Sequence, residues 1–208
     1  MAAEPSYAAG CLATALLCAS ACGGGSSGGP APSQPVAPQI TDVERYLPLV
    51  ADTVLAYDTE NDLGERGVLM MHVQRKRPDL AELYVAGRAQ RLEITAAGIR
   101  QANGGWVLKS PLVQGQHFKG DFGDVLVSSV GKRIETPAGT FTDCVETVER
   151  TAQKEVTTTF CSGVGIAELI VQGQVGTEYV RERAVLKSHG PKVDLGTDLP
   201  PPPPKHPD

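Results

Sequence analysis

The sequence predicts a mainly β protein, a single curved antiparallel sheet or half-barrel built as a meander of hairpins, with at most one short N-terminal helix. Three observations support this fold class. Runs rich in Val, Ile, Thr and Phe recur along the middle of the chain. Turn signals containing Gly, Asn or Pro separate these runs about every 8 to 15 residues. No long segment shows the 3.6-residue hydrophobic period of a helix.

Composition divides the chain into one domain and two tails. The chain has 208 residues, 41% of them hydrophobic and 21% charged, and its formal net charge is -5. The predicted segments are a signal peptide (1–21), a lipidated cysteine with a flexible linker (22–39), an antiparallel β domain (40–190) and a Pro-rich disordered tail (191–208). The domain is therefore close to the commonest domain size of about 100 to 150 residues. The sequence has no basic run or arginine stripe, so nucleic acid is not an expected partner.

The N-terminus resembles a bacterial lipoprotein signal. Residues 8–21 carry no charge and form a segment that is too short to span a bilayer but suits a signal-peptide core. Three small residues, Ala19, Ser20 and Ala21, precede Cys22 as in the lipobox, in which the cysteine receives diacylglycerol. We therefore expect Cys22 to anchor the protein to a membrane through N-terminal acyl chains. Ordinary secretion with cleavage near Ala21, or an inert apolar N-terminus, remains an alternative.

The residues after Cys22 favour a tethered envelope protein. The segment 23–39 consists mainly of Gly, Ser, Pro and Ala, a composition that gives a flexible tether between a membrane surface and a folded domain. Gly23 follows the cysteine, whereas Asp at that position retains lipoproteins at the inner membrane in some bacteria. The expected location is the bacterial cell envelope, at the outer membrane, facing the periplasm or the cell surface.

The elements of the predicted domain follow in chain order. Thr41 and Glu44 have capping-box spacing, which predicts a short helix over 41–46 that Pro48 ends. Asn103, Gly104 and Gly105 form a strong hairpin signal. The strand-like runs are 53–60, 67–77, 80–95, 98–102, 106–112, 124–136, 139–150, 155–165, 165–174 and 178–188.

Cysteine usage predicts one disulfide. Cys11 and Cys18 belong to the signal peptide and Cys22 is the expected lipidation site, which leaves Cys144 and Cys161 as a pair in an oxidising compartment. They lie in neighbouring strand-like runs that can form an antiparallel hairpin. Two reduced buried cysteines, or a metal-binding pair, are the alternative interpretations.

One hairpin register accounts for the cysteines and their neighbours together. If the hairpin closes around residues 152–153, the cysteines share one face and the apolar pairs share the other. The facing pairs in that register are Cys144 with Cys161, Val145 with Phe160, and Phe141 with Val164. Because the turn residues are Ala and Gln rather than Gly or Asn, a longer loop with a shifted register is an open alternative.

Four segments resemble, in order, a poorly characterised family of bacterial lipoproteins and secreted envelope proteins. The segments are YLPLV with the following Tyr (46–57), GGWVLKSPL (104–112), TPAGTFTDCVETVE (136–149) and GVGIAEL (163–169). The family pattern contains Pro-Ala-Gly-Thr-Phe-x-Asp-Cys-Val and Gly-Val-Gly. Asp52, Thr53 and Leu55 stand where the family has Gly, Asn and Trp. The resemblance implies a curved antiparallel sheet like those of envelope lipid carriers, and it implies no catalytic residues.

Polar clusters in the sequence do not indicate a metal or cofactor site. His117, Asp121 and Asp124 lie close together, but their spacing matches no calcium loop and loop composition explains them. Gly163 to Gly165 is expected to be a turn or bulge. His72 stands among apolar residues and is expected to be half-buried on a strand. We therefore predict no metal ion, no cofactor and no catalytic residue.

Three functions from different classes remain. The first is a non-catalytic lipoprotein whose tethered β domain contacts an envelope protein or a glycan. The second is a carrier or sensor of an apolar small molecule held on the concave face of the sheet, with Leu83, Val85, Leu92 and Ile94 as the candidate ligand face. The third is a hydrolase-like envelope enzyme. An open apolar cavity would favour the second function over the first, in which these side chains fill the concave face.

Overall fold

The computed structural model describes residues 42–192 except residues 103 and 177, and it does not describe the side chain of residue 175. The predicted signal peptide, Cys22, the linker, Thr41 and most of the C-terminal tail lie outside the described residues. The elements are α1 (Asp42–Tyr46), β1 (Thr53–Asn61), β2 (Arg66–Arg77), β3 (Leu80–Val85), β4 (Arg88–Thr95), β5 (Gly98–Gln101), β6 (Trp106–Lys109), β7 (His117–Lys119), β8 (Asp124–Thr136), β9 (Gly139–Arg150), β10 (Lys154–Cys161), β11 (Gly165–Val175) and β12 (Glu178–Pro191).

The predicted fold class is confirmed. Within the described residues, twelve strands form one antiparallel sheet in the order β6-β5-β4-β3-β2-β1-β12-β11-β10-β9-β8-β7. The first and last strands pair in the middle of the sheet, with Thr53 opposite Pro191. The two edge strands, β6 and β7, are consecutive in the chain. The sheet therefore curls until its edges approach each other, and it forms a nearly closed barrel.

A glycine permits the edges to come together. An added Cβ at Gly105, just before β6, would lie 2.5 Å from the Cα atom of Asp121, which follows β7. No Cβ atom normally comes that close to another backbone, so only glycine fits at this position without a shift. We call the junction between β6 and β7 the seam.

Most hairpins close where the sequence predicts a turn. One predicted run contains a turn that was not expected: residues 80–95 were expected to form a single run, but the structure divides them into β3 and β4 at Ala86 and Gly87. Both turn residues have positive φ angles, 48° and 78°, as a two-residue type I′ turn requires. Alanine is uncommon at such angles, so the sequence carried only half of the usual signal.

The hairpin of β9 and β10 has the predicted register. Cys144 faces Cys161 and Val145 faces Phe160, and the chain reverses between Thr151 and Lys154, whose backbone groups are hydrogen-bonded at 2.8 Å. The structure contains the Cys144–Cys161 disulfide. The two cysteines are fully buried.

The third predicted pair of this hairpin is wrong. Phe141 pairs with Ile134 of β8 rather than with Val164. The reason is that β10 ends at Cys161 and the chain then turns, so Val164 lies beyond the ladder. Phe141 and Val164 still pack against the buried disulfide.

The helix closes one end of the sheet. Tyr46 donates a hydrogen bond to Asp143 of β9 at 2.9 Å, and Arg45 forms an ion pair with the same carboxylate. Arg75 of β2 donates to Glu44 at 3.0 Å. Strands β2 and β9 lie in opposite walls of the curled sheet. These bonds therefore hold α1 across the opening between the two walls. We call this the closed end.

Apolar side chains fill the interior next to the helix. The largest buried cluster includes residues from α1, from the segment after it and from the surrounding strands. Tyr57 lies fully buried in this cluster and donates a hydrogen bond to the Ile166 carbonyl at 2.9 Å. Burial raises the pKa of the Tyr57 hydroxyl well above its usual range, so the neutral form is the one compatible with the folded core. The described residues contain no helix long and apolar enough to cross a membrane.

Candidate ligand cavity

One wall of the sheet interior is formed by β9, β10 and β11. Facing residues of antiparallel strands project to the same side, so the register gives successive inward rows. The row nearest the helix contains Val145, Phe160 and Ile166; the next contains Thr147, Thr158 and Leu169; the third contains Glu149, Val156 and Val171. The wall therefore changes from apolar near the closed end to mixed at the other end.

The opposite wall is formed by β2, β3 and β4 together with the end of β5 and the start of β6. Leu83 faces Gln90 across β3 and β4, and Val85 faces Met71 across β3 and β2. Leu92 faces Gln101 of β5. This wall is of mixed polarity, because Gln90 and Gln101 lie in the same rows as the apolar side chains Leu83 and Leu92.

A cavity of about 300 Å³ lies between the two walls. Its lining at the closed end is buried: Leu47, Leu92 and Phe160 have exposed fractions of 6%, 1% and 2%. At the other end, its lining includes the exposed residues Gln90 and Lys154. The cavity therefore opens away from α1, and we call this opening the mouth. Its volume is at the lower limit for small-molecule sites, which measure about 300 to 1,000 Å³.

The turn between β7 and β8 is fixed at the mouth by Glu149. One carboxylate oxygen of Glu149 accepts hydrogen bonds from the backbone N–H groups of Phe122 and Gly123, at 2.8 and 2.9 Å. The backbone passes so close that an added Cβ at Gly120 would lie 2.2 Å from this carboxylate oxygen. The side chain of Glu149 thus fixes the position of the Phe122 backbone at the mouth.

Lys154 and Phe122 meet at the mouth. The ammonium nitrogen of Lys154 lies 4.5 Å from the centroid of the Phe122 ring, within the range of a cation–π interaction. Both residues line the cavity. A cation therefore lies over an aromatic ring at the point where the cavity opens to solvent.

The structure brings three of the four predicted face residues together. Leu83, Val85 and Leu92 line the cavity. Ile94 is on the same strand and face as Leu92 but packs in the core nearer the closed end, with 9% of its surface exposed. That any of these residues contacts a ligand stays a prediction.

The wall of β9, β10 and β11 and the mouth have no local signal in the sequence. Alternating Val, Thr and Phe at 156, 158 and 160 was visible as a strand pattern, but only the register shows that these side chains face Leu83 across the interior. Phe122 and Lys154 belong to different hairpins, and no local signal connects them. The segment around His117, expected to be a loop, contains the short strand β7.

The other polar candidates do not come together in a site. No group of three or more His, Cys, Asp or Glu residues that could hold a metal ion occurs within the described part of the chain. Asp121 lies at the mouth, whereas Asp124 pairs with Lys119 at 2.6 Å on the surface. His72 is half-buried on β2, as predicted. Gly163 lies in a turn with a φ angle of 76°.

No protein-family model matches the sequence, and no curated protein matches it. One similar solved structure is of a protein from Bacteroides fragilis that is inferred to be exported and has a YmcC-like fold. The two structures have a TM-score of 0.42 and the sequences are 11% identical. The match covers 68% of this chain and 96% of the Bacteroides chain. A second solved structure, from Parabacteroides distasonis, of a protein inferred to be a lipoprotein, has a TM-score of 0.39 and 13% identity, with the same coverage.

Proposed function

We propose that this protein is a lipid-anchored domain of the bacterial cell envelope that binds an apolar small molecule in the cavity of its curved sheet. The observation that carries the proposal is a cavity of about 300 Å³ that is closed by α1 at one end and open at the other. Had side chains filled the interior completely, the sheet would offer no internal site. Apolar walls with a few polar groups at the opening are typical of small-molecule sites.

Filling the cavity should abolish binding of an apolar probe. Val156 and Val171 face each other on β10 and β11 and line the cavity. Replacing both with Phe should lower the affinity for N-phenyl-1-naphthylamine, a neutral fluorophore, at least tenfold, because the added rings occupy the space that the probe needs. Fluorescence titration of the full-length chain carrying Cys22→Ser, which has no acyl chains at that position, measures this affinity.

A pair of substitutions on the outer face provides the control. Val68 and Met70 of β2 are 65% and 58% exposed, and Val68→Phe with Met70→Phe adds similar bulk without entering the cavity. This variant should bind the probe like the parent chain. If the filled-cavity variant keeps the parent affinity while remaining folded by circular dichroism, the probe binds elsewhere and the proposed function is wrong.

The anchor rests on the sequence before the described residues. Ala19 to Ala21 followed by Cys22, and the Gly/Ser/Pro segment after it, support lipidation and tethering. Two or more acyl chains together anchor a protein stably on a membrane, whereas one chain binds only marginally. Gly23 supports transfer to the outer membrane.

The intact mass of the protein from the membrane fraction tests the anchor. We expect a chain beginning at Cys22 with added acyl mass, and loss of both the acyl mass and the membrane association in Cys22→Ser. Cys18→Ser is the matched control, because it leaves the proposed anchor in place. It should change neither the acyl mass nor the membrane association. An unacylated, freely soluble product from the parent sequence would contradict the proposal.

Contact with an envelope protein or a glycan is the second candidate function. The observation in its favour is that Val68 and Met70 expose apolar side chains on the outer face of one strand. In cells, this function would be lost in the variant with Phe at both positions and kept in the filled-cavity variant. The two variants therefore separate the two candidate functions.

A further inference from the structure

Several side chains at the mouth of the cavity carry hydrogen-bond donors that have no partner among the described residues. Four side chains with donor groups line it: Gln90, Gln101, Trp106 and Lys154. None of the four makes a side-chain hydrogen bond or ion pair with another residue between 42 and 192 that the structure describes, and the cation–π contact with Phe122 leaves the ammonium hydrogens of Lys154 available. These groups can donate to a ligand without breaking a bond within the protein.

The mouth also carries acceptor groups, including the side-chain amide oxygens of Gln90 and Gln101. Glu149 already accepts two backbone N–H groups through one oxygen. Glu155, next to Lys154 in the chain, accepts a hydrogen bond from Gln172 at 2.9 Å and pairs with Arg150, so it does not neutralise Lys154. The carboxylate of Asp121 is exposed. Lys154 is the one cation among the described residues that line the cavity, so an acceptor-only group arriving from outside finds donors and a positive charge there.

The size of the cavity limits the apolar part of the ligand. A volume of about 300 Å³ is at the lower limit for small-molecule sites. We therefore expect the cavity to take one alkyl chain rather than the two chains of a bilayer lipid.

We propose that the cavity takes a single-chain amphiphile with an anionic head group, with the chain between the walls and the head group bound by Lys154 at the mouth. This inference rests on the proposed function, because it specifies the ligand of the same cavity. Lys154 is then the residue that determines head-group specificity, and Phe122 holds its ammonium group close to the end of the alkyl chain.

Three amphiphiles with the same alkyl chain test the head-group preference. Dodecanoate, dodecanol and dodecyltrimethylammonium, each below its critical micelle concentration, compete with N-phenyl-1-naphthylamine for the full-length chain carrying Cys22→Ser. We expect dodecanoate to displace the probe at a concentration about tenfold lower than the ammonium compound. Adding Lys154→Glu should remove or reverse this preference and leave displacement by dodecanol unchanged.

Lys192→Glu provides a matched control, because it makes the same change in net charge on an exposed residue after β12, beside the start of β1. It should leave the preference for dodecanoate intact. Equal displacement by both ionic amphiphiles, or an equal effect of Lys154→Glu and Lys192→Glu, would overturn the head-group assignment while probe binding still supports the cavity as a binding site. Failure of the parent chain to bind the probe would overturn the proposed function and this inference with it.

Discussion

Removing the disulfide by Cys144→Ala with Cys161→Ala should lower the free energy of unfolding by about 3 kcal/mol. The bond joins residues 17 positions apart, and cross-linking a loop of about 15 residues stabilises a protein by about 3 kcal/mol, chiefly by restricting the unfolded chain. The two sulfur atoms are also buried, so their loss leaves space in the cluster that includes Ile134 and Ala167. Urea denaturation of the oxidised parent and the double variant measures the difference.

Reductant supplies an internal control. Dithiothreitol should shift the urea midpoint of the parent toward that of the double variant, and it should leave the double variant unchanged. A parent whose midpoint and mass are both unaffected by reduction would show that the two thiols are not joined in the folded protein. The hairpin would then depend on its cross-strand pairs alone.

Gly98→Ala should destabilise the fold by about 3 kcal/mol. Gly98 begins β5 between β4 and β6, with a φ angle of 141°. An added Cβ would lie 2.2 Å from the Leu108 carbonyl oxygen and 2.9 Å from the Cα atom of Lys109. Overpacking against a neighbouring strand costs about 1 to 3 kcal/mol, and an unfavourable backbone angle costs about 1 to 3 kcal/mol more. The shift in the urea midpoint at constant slope gives the loss.

Gly190→Ala is the comparison, because Gly190 is also in a strand but an added Cβ there meets nothing within 4 Å. It should change the free energy of unfolding by no more than about 0.5 kcal/mol. Equal stability of the two variants would mean that β6 moves away from β5 at little cost, and the pairing of β5 with β6 would then be looser than its backbone contacts indicate.

The sequence was sufficient for features determined by neighbouring residues. Thr, Val and Phe in β9 and β10 alternate with period two, and only one register of that hairpin places Cys144 opposite Cys161. Turns with Gly, Asn or Pro were located for the same reason, since these residues tolerate backbone angles that others avoid. The Ala86–Gly87 turn was missed because alanine carries no such signal.

The features that depend on distant parts of the chain could not be predicted in this way. Pairing of β1 with β12 follows from closure of the whole sheet, and no local pattern indicates it. The cavity has the same origin: Leu83 was recognised as an inward residue, but Val156 lies opposite only because the sheet curls. In the sequence, Lys154 cannot be distinguished from any other surface lysine. It became a candidate ligand-binding residue only because the structure places it beside Phe122 at the mouth.

The pairing of β1 with β12 also bears on how the chain folds. Joining the ends of the domain and opening the chain between β6 and β7 would give a circular permutant in which each strand pairs with its neighbours in sequence. The mean sequence separation of contacts would fall, and folding rates rise as this separation falls. The described domain instead has its first and last strands at the centre of the sheet, so the pairing of β1 with β12, the most distant in sequence, joins the two halves of the sheet.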